Sequence, residues 1–304
     1  MGAHYKRRHH YVWQYYLSAW EENGTVICRR DGQTFRTGTS ALGVEKDLYR
    51  LKELTTAEVD LIREICFGDT VDPFLRKLNA GWLPVFLGPF ALRHLAKIMQ
   101  LESQELTEAL ALVESNTEED LHAVIERESI PYIDALRAGK TNFISSNGDC
   151  AKFLHFLCVQ YFRTPKMRHA LDMALDNLPD VRTDHVIGLM RHMFATTVGW
   201  GLHCRFDETT VTLLTAPPGH EFITSDQPVI NLHAVGTEMF EPVEKLTLYY
   251  PVSPTVALVW DAEGGEGVIE RREATVAEVG RLNRDLASFA HQQVFGRSQL
   301  VVEN

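Results

Sequence analysis

The sequence predicts an α+β fold: a helical body with an antiparallel sheet and a C-terminal helix. Three observations carry this. Amphipathic helical periods fill the stretch from about 54 to 202, β-prone runs punctuated by Pro and Gly follow, and one helical period closes the chain over about 275–292. Helices in one block and strands in the next argue against an alternating parallel sheet. With 304 residues, 45% of them hydrophobic, the chain can bury a sizeable core. It reads as a single α+β domain over 1–304, made of an N-terminal hairpin region over 1–50, a helical body over 51–202, and a sheet with a closing helix over 203–304. Internal repeats and low-complexity tracts are absent from the sequence.

The elements follow in order. Residues 25–37 predict a hairpin, because Thr25-Val26-Ile27-Cys28 is β-prone and Asp31-Gly32 tolerates the positive φ of a tight turn. Thr55-Thr56-Ala57-Glu58 is a capping box ahead of Val59, Ile62, Ile65 and Cys66, which share a helix face. Thr117-Glu118-Glu119-Asp120 predicts a second helix start, with Leu121, Val124 and Ile125 on its apolar side. An apolar helix is expected over about 149–162 and ends or kinks at Pro165, and another is expected over about 183–198. After Trp200 the pattern turns to strands at 209–214, 222–224, 245–250 and 255–260, the last two separated by Pro251 and Pro254, with a turn at Gly264-Gly265 before Val268-Ile269. The closing helix buries Val276, Val279, Leu282, Leu286 and Phe289.

Composition narrows the function classes. The net charge of −11 argues against broad nonspecific nucleic-acid binding. The charge is uneven: residues 1–50 hold eight Lys/Arg and five Asp/Glu, whereas 102–128 hold nine acids and one Arg. A local basic patch at Lys6, Arg7 and Arg8 is compatible with this balance, and the acidic run reads as a solvated face. An odd count of five cysteines with no Cys-x-x-Cys spacing argues against a disulfide framework or structural zinc cluster, and most are expected to be buried thiols in a reducing compartment. The polar, basic N-terminus lacks a secretory signal, and the most apolar stretch, 82–95, is broken by Pro84, Pro89 and Arg93. A cytoplasmic protein without membrane partners is expected.

Three remote segments set polar groups among large apolar residues, where such groups need partners: 10–17 (His-Tyr-Val-Trp-Gln-Tyr-Tyr-Leu), 160–165 (Gln-Tyr-Phe-Arg-Thr-Pro) and 222–229 (Phe-Ile-Thr-Ser-Asp-Gln-Pro-Val). Together with Tyr250-Pro251-x-Ser253-Pro254 they resemble the bacterial family called domain of unknown function 4238, over nearly the whole chain. Trp13 stands where that family usually has Pro. The resemblance groups these residues and implies no particular reaction.

If the segments converge on one pocket, their chemistry suggests a site. Asp226, at a strand end, is the candidate base and metal ligand, with a divalent metal as the cofactor it would take. The competing reading gives Ser225 and Asp226 turn hydrogen bonds ahead of Pro228. His10 is the candidate proton-transfer group beside it, against the ordinary reading of a hydrogen-bonded structural histidine. Arg163 and Gln160 share a helix face with Lys152 and Phe156 and would bind substrate, as would Gln14 and Ser225. Arg163 is equally suited to capping its helix, and a solvated Gln160 would need no explanation. Arg163 and His169 show the Arg-x5-His spacing of some helical ribonucleases, across a proline. His203 and His233 have no diagnostic metal spacing. Gly-rich phosphate loops, Gly-x-Ser-x-Gly, His-Glu-x-x-His and Asp/Glu-x-Lys are absent from the sequence. The leading expectation is a hydrolase acting on a phosphate-containing substrate or nucleic acid, a nuclease in the latter case. The alternative is a non-catalytic binding module for a small anion or protein partner.

Overall fold

The computed structural model describes residues 4–175, 178, 181–238, 241, 243–299 and 302. The chain opens with β1 (Arg8–His10) and the one-turn α1 (Gln14–Leu17), followed by β2 (Val26–Arg30), β3 (Gln33–Thr37) and β4 (Val44–Lys46). The helical body comprises α2 (Thr56–Phe67), α3 (Pro73–Ala80), α4 (Trp82–Ile98), α5 (Gln104–Arg137), α6 (Asn147–Phe162), α7 (Pro165–Leu175) and α8 (Thr183–Cys204). Then come β5 (Thr210–Thr215), β6 (Thr224–Ser225), β7 (Ile230–Asn231), β8 (Thr247–Ser253), β9 (Val256–Asp261), β10 (Val268–Glu273), α9 (Val276–Phe289) and β11 (Gln293–Gly296). This is an α+β fold with a closing helix.

Local chemistry explains the boundaries that the sequence marks. Asp31 and Gly32 adopt φ of 52° and 72°, the paired left-handed geometry of a type I′ turn, between β2 and β3. The capping box at Thr55 is complete, with the Thr55 amide on Glu58 Oε2 at 2.7 Å and the Glu58 amide on Thr55 Oγ1 at 3.3 Å. Thr275 caps α9 through the Glu278 amide at 3.1 Å.

Other boundaries differ from the sequence reading. Thr117 does not start a helix: α5 begins after Ser103, whose hydroxyl accepts the Leu106 amide, and Thr117 lies mid-helix with its hydroxyl donating to the Val113 carbonyl at 2.7 Å. α6 does end at Phe162, just ahead of Pro165 as expected, and Pro165 itself opens α7 at its first position, where its missing amide costs nothing. α8 runs on to Cys204, past the expected end at 198. Pro251 lies inside β8 rather than between strands, at a register shift that spares the ladder its amide.

Two main sheets form. One has the order β10-β5-β9-β8-β7 and is antiparallel except for the parallel β10–β5 edge. The other, β3-β2-β11-β6, is antiparallel and joins the N-terminal hairpin to the last strand, so the regions 1–50 and 203–304 share a sheet. β1 pairs with β4. The largest core cluster packs Tyr11, Tyr16, Leu17 and Trp20 against Phe153, Phe156, Tyr250 and Trp260. Each such side chain contributes roughly 1.5–3 kcal/mol by leaving water. A second core, with Ile62, Phe86, Phe90, Leu189 and Met193, lies within the helical body. No helix among the described residues is long and apolar enough to cross a membrane. All five cysteines are free thiols, four of them buried and Cys204 exposed.

Candidate functional site

The three segments singled out in the sequence do meet, but in a solid joint. The buried Tyr16 hydroxyl bonds Thr224 Oγ1 at 2.6 Å and donates to the Pro251 carbonyl at 2.7 Å, while Trp20 Nε1 donates to the Phe222 carbonyl at 2.9 Å. Arg163 Nε donates to the Tyr11 carbonyl at 2.8 Å. The Gln227 amide nitrogen donates to the carbonyls of Tyr161 at 3.1 Å and Val229 at 2.7 Å, and its oxygen accepts from Thr164. Nearly every buried polar atom of this joint has a partner, as a water-free interior demands.

Asp226 and Ser225 belong to the joint. Asp226 is fully buried, and its two oxygens accept the backbone amides of His291 at 2.8 Å, Gln292 at 2.7 Å and Gln293 at 2.9 Å. A metal ion or a substrate proton would have to displace them, so this geometry offers neither the open metal position nor the free base expected at Asp226. Burial pushes the carboxyl up, and the three amides draw it back. Ser225 Oγ donates to the Gln227 carbonyl and accepts the Gln227 amide, closing the turn rather than facing a substrate.

His10 and Gln14 adjoin each other, and Arg163 reaches this N-terminal segment through the Tyr11 carbonyl. His10 is half-buried, 3.3 Å from the Ser40 carbonyl and 3.1 Å from the Gln14 amide nitrogen. Burial lowers the His10 imidazole from its ordinary value, and the charges of Arg8 and Arg163 add to this. Gln14 is exposed, whereas Gln160 is 2% exposed and its amide nitrogen has no partner, which overturns the solvated reading. Arg163 is not a surface anchor either: it is 1% exposed and pairs with Glu126 at 2.7 Å, while its Nη1 has no partner. His169 is exposed on α7, so the Arg-x5-His spacing does not join two groups at one site.

The sequence reading missed the acids that face this group. Glu119 lies against the His10 backbone and in the field of Arg163; burial pushes its carboxyl up to about 7, and its Oε2 has no partner. Burial also raises the Glu126 carboxyl, against the pull of Arg163. Thus the acidic run is not a uniform solvated face: Glu114 and Glu118 are buried, and Glu119 and Glu126 are partly so.

One helical turn along, Glu118 and His122 on α5 face Arg191 and His192 on α8. Glu118 Oε1 accepts from Arg191, lies 3.0 Å from His192 Nε2, and is 3.5 Å from His122 Nε2. Burial works to raise the Glu118 carboxyl, but Arg191, His122 and His192 outweigh it and hold it well below the usual carboxylate range. Burial pushes both imidazoles down, against the pull of Glu118. Glu118, His122 and His192 are the one trio of potential metal ligands grouped this closely among the described residues, with their ligand atoms within 4.8 Å of one another. His203 and His233 are not in this group; His233 Nε2 bonds Thr247 Oγ1 instead, at 3.0 Å.

Fold and site together define an α+β protein whose N-terminal His-Tyr-Val segment packs over a buried Glu/His/Arg cluster. A family model described as Protein of unknown function (DUF4238) matches residues 8–299, and the chain belongs to that family. No curated protein and no solved structure matches it.

Proposed function

We propose that the chain is a hydrolase acting on a phosphate-containing substrate, with nucleic acid as one candidate, and that its chemistry lies around His10 and Glu119 rather than at Asp226. The observation that carries this reading is the grouping of His10 and Gln14 with Arg163, Glu119 and Glu126, where partly accessible groups adjoin buried polar atoms that lack partners. Glu119 is the proton-transfer group, through its unpartnered oxygen, and His10 assists from the half-open side. Arg163 and Gln160 position these groups from below. Gln14 and the adjacent basic run meet the substrate: the Arg8 guanidinium, beside His10, donates to the Ser40 carbonyl and makes no ion pair among the described residues, leaving its charge for a phosphate. In this reading Ser225 and Asp226 fasten the joint.

The test is a hydrolysis screen over phosphomonoesters, phosphodiesters and single-stranded nucleic acids, with and without divalent ions. The expected result is turnover that falls by about 100-fold or more in Glu119→Gln with an unchanged melting temperature. A Glu119→Gln protein as active as the wild type removes the acid–base role.

A second reading keeps the molecule non-catalytic, as a binding module for a small anion or protein partner. It is favoured by a cavity of about 920 Å³ between α6, α7, α8 and β8, where Tyr161, Phe162 and Leu202 stand with Lys166, Arg205 and Lys245 and with Glu238, Glu241 and Glu244, a mixed-charge lining suited to a protein partner as much as to an anion. Ligand binding there without turnover of any screened substrate separates it from the first reading.

A further inference from the structure

We propose that Glu118, His122 and His192 bind one divalent cation of the zinc class, a site built independently of whether the chain turns over a substrate. Glu118 and His122 stand four residues apart on α5 and so point the same way, and His192 meets them from α8. Their contacts of 3.0 and 3.5 Å about Glu118 Oε1 suit a bound ion: ligand atoms about 2.1 Å from a tetrahedral zinc stand roughly 3.4 Å apart. The third edge, within 4.8 Å, closes by a small side-chain rotation.

The second observation is His122 itself. It is 2% exposed, yet its Nδ1 has no hydrogen-bond partner and its Nε2 reaches only Glu118 Oε1, at 3.5 Å; His192 Nδ1 also has none. A buried imidazole without partners is costly unless something else takes its lone pair. Aromatic walls fix the rings for that purpose. His122 packs on Tyr49 with centroids 4.5 Å apart and on His192 at 5.3 Å, and His192 packs on Trp82 at 4.9 Å and Phe86 at 5.2 Å.

The donor set also selects the ion. Two imidazoles and one carboxylate, with no thiolate, suit zinc and its neighbours in the first transition row better than calcium or magnesium. Three protein ligands leave a fourth position for water. Arg191 competes for Glu118, but a carboxylate has lone pairs for both a guanidinium and a metal. A cavity of about 50 Å³, lined by Glu118 and Arg191 together with Leu51, Phe86 and His185, borders the cluster on its Glu118 side.

The experiment uses the tag-free full chain, stripped by a chelator and titrated with Zn²⁺ against a chromophoric competitor. One equivalent is expected to bind, and His122→Ala and His192→Ala are each expected to weaken binding by about 100-fold or more, through loss of a ligand from a three-ligand site. His233→Ala, outside the trio, should leave the affinity unchanged. Should the two alanine variants fail to fold, the wild type decides alone: Zn²⁺ raises the melting temperature of the stripped protein, and Co²⁺ gives the visible absorption of a four- or five-coordinate ion. A stripped wild type that binds no Zn²⁺ and whose melting temperature Zn²⁺ does not move overturns the proposal, and the cluster is then an ion pair between Arg191 and Glu118. Zn²⁺ affinity that His122→Ala and His192→Ala, both folded, leave untouched overturns it as well.

Discussion

Asp226 and Glu119 are both carboxylates that burial pushes upward, and their surroundings are opposites. Asp226 has three amide donors on two oxygens, whereas Glu119 keeps an oxygen with no partner. The contrast extends to the two regions. In the joint of segments 10–17, 160–165 and 222–229, polar groups answer one another across the core. Gln160 and Arg163 Nη1, at the α6 end of that joint, and His122 and His192 Nδ1, in the α5–α8 cluster, carry unanswered atoms. Saturated polar burial fixes a fold, while unsaturated polar burial has chemistry to spare. Proximity to family-like motifs alone would not have separated the two.

Arg163, which spans both regions, gives the largest effect. Arg163→Met strips the Tyr11 carbonyl of its donor and leaves Glu126 unpaired, and is expected to cost about 4 kcal/mol in urea unfolding. A loss under about 1 kcal/mol would mean the joint does not depend on it.

Glu58 provides a calibration away from both regions, as a buried carboxylate with every oxygen answered. It accepts from the Arg182 amide, Nε and Nη2 at 2.9, 2.8 and 2.8 Å and from the Thr55 amide. Burial works to raise it, but Arg182 and the two amides outweigh that and hold its carboxyl at about 2. A folded value below the unfolded one near 4.5 means stability that is present above pH ~4.5 and lost as pH falls toward ~2. Allowing for the half-exposed Arg182, roughly 2 kcal/mol should disappear across that window, and Glu58→Gln should flatten the profile. Tyr16→Phe breaks two bonds in the saturated joint and should cost about 1.5 kcal/mol. His122→Leu is expected to have the smallest effect, within about 0.5 kcal/mol in metal-free protein, since no hydrogen bond is lost. A loss like that of Tyr16→Phe would show that the cluster is as saturated as the joint.

Much of the fold was legible where the signal is local. Asp31-Gly32, the Thr55/Glu58 box and the period of α9 mark their elements without help from the rest of the chain. β1, β4 and β11 were not legible, because three or four residues carry little periodicity and their pairing partners are remote in sequence. The site was half legible. The motifs led to His10, Gln160 and Arg163, but the density of charge over 102–128 hid the acids. The signal was present: the buried stripe of α5 passes through Leu110, Glu114, Glu118 and His122 before reaching Ser129, Tyr132, Ile133 and Leu136. Charged residues in the register of an apolar stripe are buried ones, and an interior charge needs a partner on another element. Thr117 concealed that register by imitating a helix start.

Equilibrium unfolding of Asp226→Asn beside Glu119→Gln tests the division most directly. The account expects Asp226→Asn to lose about 3 kcal/mol, because its new amide group faces backbone amides, and Glu119→Gln to lose less than about 0.5 kcal/mol. Equal losses, or the larger loss at Glu119, would contradict it.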